Sequence, residues 1–287
     1  MIRPLGFVLL LGARALLAAE AMPVAGPLPG GLPGGVAISP QNHIVALDEG
    51  PQTHAYRLQN LGIEPVRLKV RVAGFELAED FSMRLRERDE QGLVERTIIN
   101  PVELEIPPGE SRTVRFSIRP EAMPPEGEYR LAMVFEQLPT EKPDEPPVAG
   151  AHGLVLRMRF QILSAIYATV GSLSRRARLL EVALAPEGVR TRIRNEGEAH
   201  VRPKGRLILE PLSAGAAAVE GSLSGLPVLP GETRWVPHAL PQGARLSPGR
   251  YRLRLEGTLG DAPLAGVYEL EWAPDEGAGT GARTGGR

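Results

Sequence analysis

The chain has 287 residues, with 33 lysines and arginines against 34 aspartates and glutamates. Its formal charge of −1 excludes the strong basic excess that general binding to nucleic acid or to a membrane surface requires. The absence of cysteine excludes disulfides, thiolate zinc sites, thiol nucleophiles and an acylated lipoprotein cysteine. The length fits two domains of about 100–150 residues.

The first 21 residues have the layout of a secretory signal peptide. Arg3 precedes an apolar run, and Ala19-Glu20-Ala21 matches an A-x-A cleavage site. Because Arg14 interrupts the run, a misassigned start codon and an uncleaved amphipathic anchor remain alternatives. No other run approaches the ~20 apolar residues of a membrane span, so we expect a mature protein without a span, in the periplasm or otherwise outside the cytoplasm. The Gly- and Pro-rich residues 22–35 predict a flexible leader.

Short segments that alternate apolar and polar residues begin at Val36 and predict β-strands. Their number and spacing in the first half are typical of an immunoglobulin-like sandwich, and no long helical period appears. The predicted strands start near Ala37, Thr53, Pro65, Ser82, Glu110, Glu128 and His152. In the last of them we expect the even-numbered apolar residues to face the core and the odd-numbered set to face outward: Val155, Arg157, Arg159, Gln161 and Leu163.

Three motifs occur twice, which indicates an internal duplication. The pentapeptides PGESR (Pro108–Arg112) and PGETR (Pro230–Arg234) lie 122 positions apart, and EGEYRL and PGRYRL repeat that offset. A third pair, RLQNLGIEPVR and RIRNEGEAHVR, shares the frame N-x-G-x-x-x-V-R at an offset of 135. P-G-E predicts a turn whose glycine has positive φ, and Gly-x-Tyr resembles the tyrosine corner of immunoglobulin-like domains, at Tyr129 and Tyr251.

We therefore predict an all-β protein of two tandem immunoglobulin-like β-sandwich domains, at residues 36–164 and 165–272. They join near Leu163–Ala165 with almost no linker, which predicts a fixed angle between the domains and a cleft at the join. Residues 139–152 predict a proline-rich acidic loop before the seventh strand, and residues 273–287 predict a disordered tail.

The sequence carries no recognisable catalytic, metal or nucleotide motif. None of the histidines has a metal-ligand spacing such as H-x-x-x-H; they are His43, His54, His152, His200 and His238. The serine in PLSAG lacks the first glycine of a nucleophile elbow, and GPLPGG lacks the strand-turn-helix context of a phosphate loop. We predict a protein that is not an enzyme and that needs no cofactor.

Tandem immunoglobulin-like domains behind a signal peptide, with a long loop before the seventh strand, resemble the PapD-like periplasmic chaperones of pilus assembly. The resemblance covers residues 38–167 best. Within them, Asn100–Pro120 is similar to the family's hallmark, in which a proline-led segment and a P-G turn precede a strand with Val-Arg. These are Pro101, Pro108, Gly109, Val114 and Arg115. The second domain is similar in architecture only.

The resemblance implies that the seventh strand of domain one is an exposed edge that pairs with an incomplete pilus subunit. Its partner-facing residues would be the outward set defined above. In the family, alternate large apolar side chains fill the subunit's groove, whereas here Arg157, Arg159 and Gln161 occupy the middle of that set. The family's Arg and Lys that hold a carboxylate in the interdomain cleft are replaced, near their positions, by His43 or Ile44 and by Ser164.

Two functions follow as hypotheses. The first is a periplasmic chaperone-type binding protein that holds an exported β-rich pilus or surface subunit by edge-strand addition, without nucleotide; an outer-membrane usher is a second candidate partner. The alternative is a structural or adhesion protein of the envelope that uses its domains as spacers, because Arg157 and Arg159 also suit an edge protected against pairing.

Overall fold

The computed structural model describes residues 35–139, 159–213, 217–241, 244 and 246–273. These residues form β-strands and no α-helix, so no described helix is long and apolar enough to cross a membrane. The predicted signal peptide, the leader up to residue 34, nearly all of the proline-rich loop and the tail after Ala273 lie outside the described residues.

The described strands are, in chain order, β1 (Val36–Ser39), β2 (Asn42–Ala46), β3 (His54–Asn60), β4 (Val66–Leu77), β5 (Met83–Arg86), β6 (Thr97–Asn100), β7 (Glu103–Ile106), β8 (Ser111–Ile118), β9 (Gly127–Gln137), β10 (Gln161–Val170), β11 (Ala177–Ala185), β12 (Gly188–Asn195), β13 (Pro203–Pro211), β14 (Val219–Ser222), β15 (Thr233–Ala239), β16 (Gly249–Leu259) and β17 (Ala262–Trp272).

The first sandwich packs a four-stranded sheet, β1-β3-β8-β6, against a six-stranded sheet, β2-β10-β9-β4-β5, in which β7 also pairs with β4. Alternate residues of each strand face the layer between the sheets, where the buried aromatic residues Tyr56, Phe116 and Phe135 pack with aliphatic side chains. The short strands β1 and β2 follow one another in the chain but belong to different sheets.

The second sandwich packs the sheet β11-β12-β15 against the sheet β14-β13-β16-β17. Its separate core contains Ile193, Leu207, Val236, Leu253 and Leu255. The prediction of an all-β protein with two immunoglobulin-like sandwiches is confirmed.

The duplicated motifs occupy equivalent positions in the two sandwiches. Gly109 and Gly231 both have positive φ, of 74° and 75°, as the P-G-E turn requires. The hydroxyl of Tyr129 donates to the carbonyl of Pro125 at 2.6 Å, and Tyr251 donates to the carbonyl four residues before it at the same distance. Both tyrosines therefore form the predicted corner.

The change from one sandwich to the other lies further along the chain than predicted. The expected join near Leu163–Ala165 falls inside β10, which pairs with β9 as far as Val170. The second sandwich begins with β11 at Ala177. The sequence boundary after residue 164 is thus corrected, because hydrogen bonding to β9 keeps the following six residues in the first sheet.

Candidate functional site

Strand β10 is covered along only half of its length on one side. It pairs with β9 from Gln161 to Val170 on one side, but on the other side β2 pairs in parallel only with Ala165–Thr169. No described residue pairs with the earlier part of β10 on that side. The residues before 159 lie outside the described residues.

The backbone groups at this open edge belong to Gln161 and Leu163. The amide of Gln137 donates to the carbonyl of Phe160 at 3.1 Å, so the even-numbered residues of β10 direct their backbone groups toward β9. On the covered half, the carbonyl of Thr169 accepts from the amide of Leu47 at 2.8 Å, on the side of β2. Odd-numbered residues therefore direct their donors and acceptors toward the open side, which is a ready template for an added strand.

The side chains of β10 follow the predicted alternation. Phe160 and Ile162 pack against the first core, while Arg159 and Gln161 are exposed. Leu163 is half-buried on the opposite face of the sheet, in a cluster with Phe75. Two further members of the predicted partner-facing set, Val155 and Arg157, lie outside the described residues.

His43 and Ser164 do not lie where the resemblance puts them. The ring of His43 contacts Tyr56 and Phe116 between the two sheets, with ring centroids 4.6 and 5.2 Å apart. The hydroxyl of Ser164 is hydrogen-bonded to the hydroxyl of Tyr56 at 3.0 Å and donates to the carbonyl of Gln41 at 2.8 Å. Both side chains face the interior of the first sandwich, so the prediction that they line the interdomain cleft is corrected.

The join between the sandwiches is made by a different set of residues, centred on Tyr167 at the end of β10. His200 stacks on the ring of Tyr167 with centroids 3.6 Å apart, and the guanidinium of Arg202 donates to the Tyr167 hydroxyl at 3.2 Å. Burial raises the pKa of Tyr167, so the phenol is neutral.

A buried hydrogen-bonded contact between a carboxylate and an imidazole lies beside this stack. A carboxylate oxygen of Glu128 in β9 lies 2.6 Å from Nδ1 of His200, and the carboxylate also accepts from the His200 backbone amide at 3.0 Å. Both side chains are almost fully excluded from solvent, at 2% and 3% exposure. A buried carboxylate needs such multiple donors, so this contact binds the first sandwich to the second in one orientation.

Arg234, from the second copy of the P-G-E motif, makes another contact across the join. Its guanidinium donates to the carbonyl of Leu77, the last residue of β4, at 3.1 Å and to that of Ala78, the next residue, at 2.5 Å. The same guanidinium is paired with Glu232 at 2.7 Å. Leu229 adds an apolar contact, because it is buried in the cluster that contains Phe75 and Tyr167.

Sequence reasoning missed the residues that hold the join. The repeat drew attention to Arg234 as the last residue of the second P-G-E motif, but not to its contact with the first sandwich. The equivalent residue of the first copy, Arg112, is exposed and paired with Glu110. Only the fold shows that the same turn faces solvent in one sandwich and the neighbouring domain in the other. Glu128, Tyr167 and His200 carry no pattern that separates them from ordinary strand residues.

Within the described part of the chain, no group of three or more histidine, aspartate or glutamate side chains could hold a metal ion. The site offers a backbone edge, an apolar patch around Leu163 and a braced join. Groups of this kind are suited to contacts with another chain.

The sequence matches no protein-family model and no curated protein. Solved structures similar to it are fimbrial chaperones. A structure of Salmonella enterica SafA pilin in complex with the SafB chaperone has 12% identity and a TM-score of 0.43, covering 84% of this chain and 97% of that chain. The Pseudomonas aeruginosa CupB2 chaperone has 12% identity and a TM-score of 0.41, with coverage of 83% and 100%. At such identities and TM-scores the likeness assigns no function.

Proposed function

We propose that this protein is an extracytoplasmic chaperone-type binding protein that holds a β-rich protein subunit by adding its β10 edge to the subunit's sheet. The observation that carries the proposal is the half-open strand: Gln161 and Leu163 present backbone donors and acceptors with no described partner. A strand laid along this edge would be collinear with β2, which already covers Ala165–Thr169. Among the described residues, the edge is therefore one strand short along half of its length.

The energetics of such binding need no nucleotide. Each backbone hydrogen bond formed with a partner strand contributes about 0.5–1.5 kcal/mol net, and an incomplete partner gains further from covering its own unpaired groups. Leu163 lies in the apolar cluster beside the edge and can cover apolar side chains of the added strand. Binding energy alone would hold the partner, and assembly onto another strand would release it.

The braced join supports this role because it fixes the surface next to the edge. Tyr167 belongs to β10 and is held from the second sandwich by His200 and Arg202. A partner strand on β10 therefore meets a second sandwich in a defined position, which lowers the entropic cost of recognition.

The alternative, an envelope spacer or adhesion protein, is favoured by one observation. Arg159 is exposed at the beginning of the open edge, and a charged side chain there opposes pairing between sheets. In that function the edge stays unpaired and the two sandwiches act as a rigid rod.

The test is capture of secreted proteins from the extracytoplasmic fraction of the native host by tagged wild-type protein and by Gln161→Pro. Proline removes the amide that faces the open side and leaves the hydrogen bonds to β9 in place. Gln161→Ala is the matched control, because it changes the same side chain and keeps the amide. We expect a stoichiometric β-rich partner with wild type and Gln161→Ala, and its loss with Gln161→Pro.

Each outcome decides between the two functions provided that circular dichroism shows all three proteins to be folded. A partner bound equally by Gln161→Pro would contradict strand addition. Capture of no partner by wild type would favour the spacer.

A further inference from the structure

Two histidines lie in contact between the two sheets of the first sandwich, and one of them belongs to β2, the strand that covers half of β10. His43 is in β2 and His54 is in β3, and their ring centroids are 5.4 Å apart. Both rings also contact Phe116, and His43 packs edge-on against Tyr56. The pair therefore joins β2, at the end of one sheet, to the opposite sheet.

The hydrogen bonding of the pair is incomplete. The Nε2 atoms of both rings are buried and have no hydrogen-bond partner in the part of the chain that the structure describes. The backbone of Ala55 beside the ring of His43 partly offsets the lowering of the His43 pKa. In the charged ring both nitrogens carry a proton, so an N–H at Nε2 would find no acceptor among the described residues.

Few charged or titratable groups face the pair. From β3 they are His54 itself and Tyr56, whose phenol is kept neutral because burial raises its pKa. From β8 the facing residue is Phe116, and from β10 it is Ser164, which reaches the pair through the Tyr56 hydroxyl. No carboxylate among the described residues contributes to the electrostatics of either ring, so no negative charge favours a proton there, and His54 opposes a proton on His43.

Both histidines therefore resist protonation in the folded protein. Burial lowers the pKa of His43, and the neighbouring His54 lowers it further. Burial also lowers the pKa of His54. When β2 leaves the sandwich, both rings reach water and recover an ordinary pKa near 6.5. Below that pH protonation favours the detached strand.

Strand β2 is the element that this protonation would release. It has five residues, lies at the end of its sheet, and is anchored in the core by two inward side chains, His43 and Val45. It is also attached by its pairing with β10, by hydrogen bonds from Ser164 to the carbonyl of Gln41 and from Thr169 to the carbonyl of Val45, and by the buried Leu47 directly beyond its end. A charge on His43 weakens one of the few inward contacts that hold so short a strand.

We propose that the His43–His54 pair is an acid-sensitive release for β2, which detaches from β10 as the pH falls and lengthens the open edge from Gln161–Ser164 to the whole strand. Detachment frees the odd-numbered backbone groups of Ala165, Tyr167 and Thr169 for a partner strand. The release itself is a property of the isolated chain, and only its consequence for partner capture rests on the proposed function.

Amide hydrogen exchange of the full chain at pH 7.5 and pH 5.0, corrected for the intrinsic effect of pH on exchange, tests the release. We expect the opening constant of Asn42–Ala46 and Ala165–Thr169 to rise at pH 5.0, by up to about 30-fold for each histidine. The central strands β4 and β9 should keep their protection. The double variant His43→Gln, His54→Gln should show no such rise.

Two single variants test the release if the double variant does not fold or if acid affects the whole protein. If the double variant does not fold, His54→Gln alone, at the less buried of the two positions, should lose part of the rise in opening. His238→Gln, in the second sandwich, should retain all of it. Unchanged protection of β2 in the wild-type protein at pH 5.0, or the same loss in the double variant, would overturn the proposal. The exchange experiment needs no partner, so a failure of the proposed function would not alter its outcome.

Discussion

At the scale of single residues, two buried asparagines hold equivalent turns in the two sandwiches. Asn60 donates to the carbonyls of Glu64 and Ile106 at 2.7 and 2.9 Å, and its side-chain oxygen accepts from the amide of Gly62 at 2.9 Å. Asn195 makes the same three bonds in the second sandwich, at 2.8 to 2.9 Å. Each side chain therefore ties the end of one strand to two loops.

Replacing either asparagine by alanine should destabilise its own sandwich by about 2–4 kcal/mol, because three hydrogen bonds are lost and two carbonyls lose a donor. Urea unfolding followed by circular dichroism measures the change for both variants, and tryptophan fluorescence adds a second probe for Asn195→Ala because Trp235 and Trp272 both lie in the second sandwich. Asn60→Asp keeps the acceptor but sets a carboxylate against two carbonyls, so it should be at least as damaging. A loss below about 0.5 kcal/mol for Asn60→Ala would contradict the bonding described here.

His238 makes the second sandwich sensitive to acid. Its Nε2 bonds to the hydroxyl of Thr191 at 2.9 Å and its Nδ1 accepts from the amide of Ser224 at 3.0 Å, so the neutral ring is fully satisfied. Burial lowers the pKa of His238 to about 4. Because the unfolded chain binds this proton near pH 6.5, stability is full above pH 6.5 and declines as the pH falls toward 4, by about 3 kcal/mol in total.

The difference in unfolding free energy between wild type and His238→Gln, followed from pH 7.5 to pH 4, measures that decline. We expect the stability of wild type to fall more steeply than that of the variant in this window. Parallel curves would contradict the lowered pKa, because they would show that the ring binds its proton equally well in the folded and unfolded protein.

At the scale of elements, the P-G-E turns show how one motif serves two domains. Each turn delivers the chain into a strand of its sandwich through a glycine with positive φ, and an added Cβ at Gly109 or Gly231 would meet no atom within 4 Å. The cost of alanine is therefore backbone strain alone. Gly109→Ala and Gly231→Ala should each lose about 1 kcal/mol in chemical unfolding, and a much larger loss in either would contradict an open turn.

Alternation predicted the faces of β10 because its inward and outward sides differ in polarity over several residues. Phe160 and Ile162 pack on the first core as expected, and Arg159 and Gln161 are exposed. The same alternation places Ser164 in the inward set, where the structure has it. The resemblance instead placed Ser164 in the interdomain cleft, which was wrong. A hydroxyl is accepted there because Tyr56 and Gln41 supply its hydrogen bonds.

The sequence did not predict strand β2 or the covering of β10. A polar stretch that contains Pro40 separates β1 from β2 in the sequence, but each strand is only four or five residues long, which leaves little alternation to recognise. They belong to different sheets only because β2 finds hydrogen-bond partners on β10, more than 120 residues later in the chain. The local alternation of apolar and polar residues does not indicate which strands pair across so long a separation in the chain. For the same reason the short strands β6 and β7, on either side of Pro101, were missed.

At the scale of the whole molecule, side chains from both sandwiches brace the join. Arg234→Ala removes two charge-assisted hydrogen bonds to carbonyls of the first sandwich and should destabilise the molecule by about 1–3 kcal/mol. It should also broaden the interdomain distance distribution in small-angle scattering. Arg112→Ala is the matched control from the first copy of the motif, and its exposed ion pair should contribute under about 1 kcal/mol. Equal effects of both substitutions would show that Arg234 does not brace the join.

The most direct test of the central claim is amide hydrogen exchange of the protein alone and in complex with its captured partner, at pH 7.5. If the partner adds a strand to β10, the amides of Gln161 and Leu163, which have no described acceptor in the free protein, gain protection. The neighbouring amide of Ile162, directed toward β9, changes little by comparison. A tightly bound partner that leaves Gln161 and Leu163 exchanging as fast as in the free protein would contradict strand addition at this edge.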